Sequence, residues 1–371
     1  MSWLTATYLI DAPADLIEAR ANALALEQSV ECPLEAITDE RILDQIVAQV
    51  AAIERVGDDR YRVDVDIAVE TTGHEPAQLM NMIFGNCSLW ENVRLVNVDL
   101  PDSLLARFGG PRHGITGIRA RVGAYDRALT STAMKPQGLP TDELAKMCKT
   151  FALAGVDIVK DDHGIVDQQA SRYAERVAAC SRAVEEAAQI TGRRTAYAPN
   201  LSGTPKVLRE RAFIARDAGV EVVLVAPMLI GIPAFVELVE EFQEFAYLGH
   251  PSAGGGRIAP DLLFGRLFRL FGVDAPIFTN YGGRFAYPPE ECAALAEAAR
   301  APWGDLKPAL PVPAGGMKLE RVDEMLHFYG VDTMLLIGGN LLIAREALLE
   351  RTRDYVAKVA GHGHAAVGAH A

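Results

Sequence analysis

The chain has 371 residues, half of them hydrophobic, with 36 basic against 49 acidic side chains and a net charge of −13. An acidic surface repels phosphate backbones and anionic lipid, which argues against nucleic acid and membrane partners but leaves room for a small anion held by backbone amides. No run reaches the roughly 18 uninterrupted apolar residues of a membrane helix, and the five scattered cysteines, without a CxxC pair, suit reduced thiols in a cytoplasm rather than a disulfide framework or a zinc site.

The start, Met1 to Tyr8, lacks a basic region followed by an apolar one and reads as a strand rather than a leader. Over residues 1–110 the pattern predicts strand Thr5–Ile10, helices Pro13–Gln28 and Asp39–Val50, strand Tyr61–Ala68, helix Pro76–Ile83 and strand Leu95–Leu100. That order is an α+β domain of ferredoxin-like type. The turn-rich run Phe108–Gly114 marks a junction. From about residue 130 a β-rich run, a polar or glycine-rich loop and an amphipathic helix recur. The strands expected are Leu129–Met134, Val156–Val159, Thr195–Pro199, Val222–Ala226, Phe245–Leu248, Pro276–Thr279, Ala309–Pro313 and Thr333–Ile337. Helices are expected at 141–153, 168–191, 205–218, 232–243, 260–271, 289–299, 318–329 and 341–358. Eight such units over residues 111–358 predict a TIM (β/α)8 barrel, and no GxGxxG follows the first strand to favour an open doubly wound sheet. The last stretch, 359–371, carries three histidines and reads as a frayed tail.

Chemistry in such a barrel sits at the carboxyl ends of the strands. All but the fourth, which runs into Pro227-Met228, end in polar or glycine-rich residues. The second ends in Lys160-Asp-Asp-His163. This run allows a helix cap, with Asp161 and Asp162 on orphan amides, or a divalent-metal site with oxygen from Asp162 and nitrogen from His163. Lys135 after the first strand is either a proton-transfer group or a fixed charge for an anion. Asn200 and His250 stand after the third and fifth strands, and Arg284 after the sixth. Gly315-Gly316 and Gly338-Gly339 follow the seventh and eighth, where barrels bind phosphate through exposed amides; each pair alone is also an ordinary tight turn.

Thr132-Ala-Met-Lys135-Pro, Gly155-Val-Asp-Ile-Val-Lys160-Asp-Asp, Pro313-Ala-Gly-Gly316 and Ile337-Gly-Gly339 fall in order and resemble the large subunit of ribulose-bisphosphate carboxylase. So do Ala6-Thr-Tyr8, Phe84-Gly-Asn86 and Gly110–Gly114. The resemblance implies that Lys160 is carbamylated and binds Mg2+ with Asp162, and that His163 stands where the family has a glutamate. It implies that Lys135 handles protons near the substrate carbonyl. Glu27 and Asn86 match residues that a partner subunit lends to the site, which implies a homodimer with shared sites.

Four departures bear on activity. Gln137, Pro251, Arg284 and Ala314 replace a lysine, a phosphate-binding arginine, the mobile-loop lysine and a serine of the carboxylases. The chain therefore resembles a RuBisCO-like protein that does not carboxylate. The shared step is metal-assisted proton abstraction next to the ketone of a sugar phosphate, with one phosphate gripped by Gly315, Gly316, Gly338 and Gly339. The expected activity is a 5-methylthioribulose-1-phosphate isomerase working by 1,3-proton transfer in sulfur (methionine) salvage. A 2,3-diketo-5-methylthiopentyl-1-phosphate enolase fits less well, because that enolase carries its basic lysine where Asn86 stands. A decarboxylase or transcarboxylase of a 3-keto sugar-acid phosphate is the third reading. An inactive, redox- or stress-linked sugar-phosphate-binding protein is the reading outside catalysis.

Overall fold

The computed structural model describes residues 2–285 and 287–368. The chain divides into two compact units: Met1–Gly109 with Gly254–Leu263 and Trp303–Leu306, and Gly110–Ala253 with Phe264–Pro302 and Lys307–Ala371. The two short segments of the first unit lie inside the range that the sequence assigns to the barrel. A backbone reason is visible for one of them. Leu95 accepts a hydrogen bond from Ala259 and donates one to Arg257, which lays residues 257–259 alongside a strand of the first unit.

In the first unit, β1 (Trp3–Asp11), β2 (Gln49–Gly57), β3 (Arg60–Ala68) and β4 (Val93–Asp99) form one antiparallel sheet in the order β2-β3-β1-β4. Helices Ile17–Glu27 and Pro76–Phe84 join β1 to β2 and β3 to β4, giving the ferredoxin-like βαββαβ order. Alternation in β1 buries Leu4, Ala6, Tyr8 and Ile10. The helix expected over 39–50 is shorter, Glu40–Gln45, with the Asp39 carboxylate accepting from the Arg41 N–H at 2.8 Å. The rest of that range opens strand β2, which pattern reading misses. It is an edge strand, exposed along nearly its whole length, and its Gln, Ala, Glu and Arg residues favour helix locally. Pairing with β3 overrides that preference.

In the second unit, parallel strands run β5 (Leu129–Met134), β6 (Ile158–Asp161), β7 (Ala196–Ala198), β8 (Asn200–Leu201), β9 (Val222–Val225), β10 (Ala246–Gly249), β11 (Ala275–Thr279), β12 (Val312–Ala314) and β13 (Met334–Leu336). β7 and β8 are one barrel strand interrupted at Pro199, which has no N–H to give the ladder but whose carbonyl accepts from Leu224. Eight strands thus form a ring. β13 pairs with β5, and the Met334 N–H reaches the Pro311 carbonyl at 3.0 Å on the other side. Leu129, Ile158, Ala198, Leu224, Leu248, Ile277, Val312 and Leu336 fill the interior. The helix expected at 168–191 begins at Tyr173, whose N–H is taken by the Asp167 carboxylate at 2.7 Å. The expected tail is helical as well: the last helix runs Leu348–Gly368. Residues 369–371 lie outside the described residues.

Candidate active site at the carboxyl ends of the barrel strands

Alternation along β6 sorts the Lys-Asp-Asp run. Ile158 faces the barrel interior, so Lys160 and Asp162 follow it inward and Asp161 faces outward to the helices. The Asp161 carboxylate is fully buried. It receives Arg176 Nε at 3.1 Å, the Tyr197 hydroxyl at 2.9 Å and the Asn200 N–H at 3.1 Å. Burial raises its carboxyl against the pull of these donors. Arg176, also fully buried, further donates to the Ser171 and Val166 carbonyls and so fixes the loop after β6. Sequence reading of candidate residues misses Arg176 and Tyr197 and treats Asp161 as a cap. The available signal is Arg176 itself, an arginine on the apolar stripe shared by Tyr173, Val177 and Cys180.

The inward face gathers the expected cluster. Lys135 forms an ion pair with Asp162, and Lys160, 2% exposed, donates to the Asp161 carbonyl at 3.0 Å. Burial pulls the Lys160 ammonium down to about 8, with the Lys135 charge assisting and Asp162 opposing. For Asp162 burial acts upward, but hydrogen bonds from His163 and Lys135 and the charge of Lys160 outweigh it and hold the carboxyl well below its usual range. The His163 ring stacks on His250, centroids 4.1 Å apart and planes 18° apart, with its Nδ1 3.6 Å from Asp162 Oδ1. His250 is pushed down to about 2 by burial and then by the charges of Lys160 and His163. Thus Lys135, Lys160, Asp162, His163 and His250 do meet at one end of the barrel.

Other expected residues have different positions. Asn200 is 2% exposed, and its side-chain nitrogen bonds the carbonyls of His163 at 2.8 Å and Ile165 at 3.2 Å. Its side chain thereby clamps the loop after β6. Gly338 lies beside Lys135: a Cβ there would stand 3.9 Å from Lys135 Cε. Gly339 opens a short helix, Gly339–Leu342, with free space where its side chain would be. Gly315 and Gly316 have φ of +83° and +99°, a region that favours glycine. They also admit the loop after β11. The Gly315 carbonyl accepts from the Arg284 N–H at 2.9 Å, and a Cβ on Gly316 would meet that nitrogen at 2.6 Å. The Arg284 guanidinium lies 5.0 Å from the centroid of the Phe285 ring. In the first unit, Asn86 donates to the Glu27 carboxylate at 2.8 Å, so these two expected residues form a pair of their own.

Among the described residues no three His, Cys, Asp or Glu side chains form a group able to hold a metal. Asp162 and His163 supply two donors, and the neighbouring side chain that could complete the set is Lys160. The donor chemistry, an ionised carboxylate, an imidazole and a lysine made easier to deprotonate by burial, fits a divalent cation once that lysine carries a carboxylate of its own.

The family described as "Ribulose bisphosphate carboxylase large chain, catalytic domain" matches residues 114–260. A ribulose bisphosphate carboxylase-like protein of Rhodopseudomonas palustris is 52% identical, covering 96% of this chain and 97% of its own. The 5-methylthioribulose-1-phosphate isomerase of Rhodospirillum rubrum is 51% identical, covering 96% of each. The crystal structure of a Rubisco-like protein from Rhodopseudomonas palustris superposes with a TM-score of 0.92 at 48% identity, covering 98% of this chain and 99% of that one. No helix among the described residues is long and apolar enough to cross a membrane. With the same fold and half its residues identical over nearly full length, the chain belongs to the RuBisCO-like proteins, the non-carboxylating members of the RuBisCO large-chain family.

Proposed function

We propose that the protein is a cytoplasmic 5-methylthioribulose-1-phosphate isomerase of methionine salvage, active as a homodimer. The observation that carries the reading is the meeting of Lys135, Lys160 and Asp162 beside the open backbone of Gly338. A phosphate at the Gly338-Gly339 turn puts the adjoining carbons of a ketose phosphate near both lysines. The high identity to an isomerase of that name supports the choice of substrate.

The chemistry breaks a C–H bond next to the ketone. Its electron pair enters an enediolate, the proton passes to a base, and a proton returns to a different carbon. We assign that transfer to Lys135, half-exposed beside Asp162: its neutral amine takes the proton from carbon and the ammonium so formed returns it. A lysine lowered to about 8 has a substantial neutral fraction at mildly alkaline pH. The neutral amine is the form that adds carbon dioxide, forming an N–C bond and releasing a proton. Asp162, His163 and carbamylated Lys160 would hold a Mg2+ ion, which supplies positive charge for the developing oxyanion. Asn200 and Arg176 keep the loop bearing His163 in place. The pairing of Asn86 with Glu27 supports a supporting-site role for both, and an amide cannot take a proton, which favours the isomerase over the diketo-phosphate enolase.

The test is deuterium exchange in heavy water with Mg2+ and 5-methylthioribulose 1-phosphate, followed by product analysis. The expected result is net isomer carrying solvent deuterium. Exchange without net product points to another substrate for the same chemistry, and no exchange with any pentulose phosphate favours a binding protein. Replacing His163→Glu should tighten Mg2+, read by calorimetric titration; unchanged affinity removes His163 from the ligand set.

A further inference from the structure

His250 follows β10 on its inward face, two residues beyond Leu248. Its Nδ1 lies 3.2 Å from the Ser252 backbone N–H and 2.8 Å from the Ser252 hydroxyl. A backbone N–H can only donate, so Nδ1 must present a lone pair and the ring proton must sit on Nε2. The ring face is occupied by His163 at 4.1 Å, and no described residue bonds to Nε2. We propose that Ser252 is a positioning residue that fixes His250 as an Nε2–H donor for a ligand oxygen at the carboxyl ends of the strands.

The assignment gives His250 a role distinct from the lysines. It donates a hydrogen bond to the oxygen on which charge develops, and it does not abstract the carbon-bound proton. That oxygen is the enediolate oxygen of the isomerase reading, on which this part of the inference rests. The tautomer rests on the loop geometry alone. Ser252 is a small residue in a Pro-Ser-Ala turn, and its two donors converge on one nitrogen, so rotation of the ring would break both bonds at once.

The experiment is nitrogen-15 NMR of the full chain labelled at histidine, with the His250 signals identified by their loss in His250→Asn. The expected spectrum has an unprotonated Nδ1 and a protonated Nε2, and Ser252→Pro, which removes both donors, should give a mixture of tautomers. A proton on Nδ1, or a mixture in the parent, overturns the proposal. In parallel, Ser252→Ala should lower kcat about tenfold with KM unchanged, and Ser252→Thr should restore it. A rise in KM with kcat intact overturns the positioning role. If the parent turned over no pentulose phosphate, the isomerase reading would fall while the nitrogen spectrum still decided the tautomer.

Discussion

Asp161 and Asp162 are neighbours in sequence with opposite surroundings. Asp161 faces the helices, receives Arg176, Tyr197 and the Asn200 N–H, and is raised by burial. Asp162 faces the strand ends, pairs with Lys135, and is held low by the cations and by His163. One closes a strand and the other follows it, yet one fastens the scaffold and the other lines the strand ends with the two lysines. A strand separates the two tasks within a single residue step, because successive side chains leave by opposite faces. The outward face therefore protects the position of the inward one: Arg176 and Asn200 hold the loop on which His163 sits.

The largest expected effect tests the inward face. Lys160→Met should reduce turnover about 10³-fold or more, while the urea midpoint does not fall. A variant retaining parental turnover would remove Lys160 from the chemistry. Next is the outward face. Asp161→Ala strands a fully buried guanidinium, which costs about 3–5 kcal/mol of stability. Activity per folded molecule should survive at low temperature, and an unchanged denaturation midpoint would show that the Asp161–Arg176 pair holds nothing.

A pH series sharpens the contrast. Lys160 falls from 10.5 in the unfolded chain to about 8 when folded, so the unfolded state holds more protons between those values. Stability should therefore rise with pH across roughly pH 8 to 10.5, by about 3 kcal/mol from this group in carbon dioxide-free buffer. The same slope should be missing in Lys160→Met, which should also be more stable than the parent at pH 7; a slope shared by both proteins places its origin elsewhere. The smallest effect is expected of Tyr197→Phe, which deletes one of several donors to Asp161 and should cost about 1 kcal/mol with no change in KM.

Much of this arrangement is legible in the sequence because it is periodic. The strand Leu129–Met134 and the helix Thr141–Leu153 are found with the limits expected, and the lysines fall on strand ends. The features that escape pattern reading depend on partners distant in sequence. β2 is a strand because β3 lies beside it, not because its residues prefer extension. Arg176 and Tyr197 gain meaning only through Asp161, 15 and 36 residues before them. Asn200 is legible as a residue that follows a strand, but its bonds to the carbonyls of the loop after β6 are not. Local chemistry identifies candidate groups; long-range hydrogen bonds decide which of them face a ligand.

The closing pair of the barrel ring also imposes an order in time. Leu129 is registered with Met334, so one edge of β5 lacks its neighbour until the chain has been made some two hundred residues further. Throughout that interval on the ribosome, the growing sheet has open hydrogen-bonding edges that any other nascent strand can occupy. A chain cut before β13 would therefore be an open sheet prone to self-association, rather than seven-eighths of a barrel.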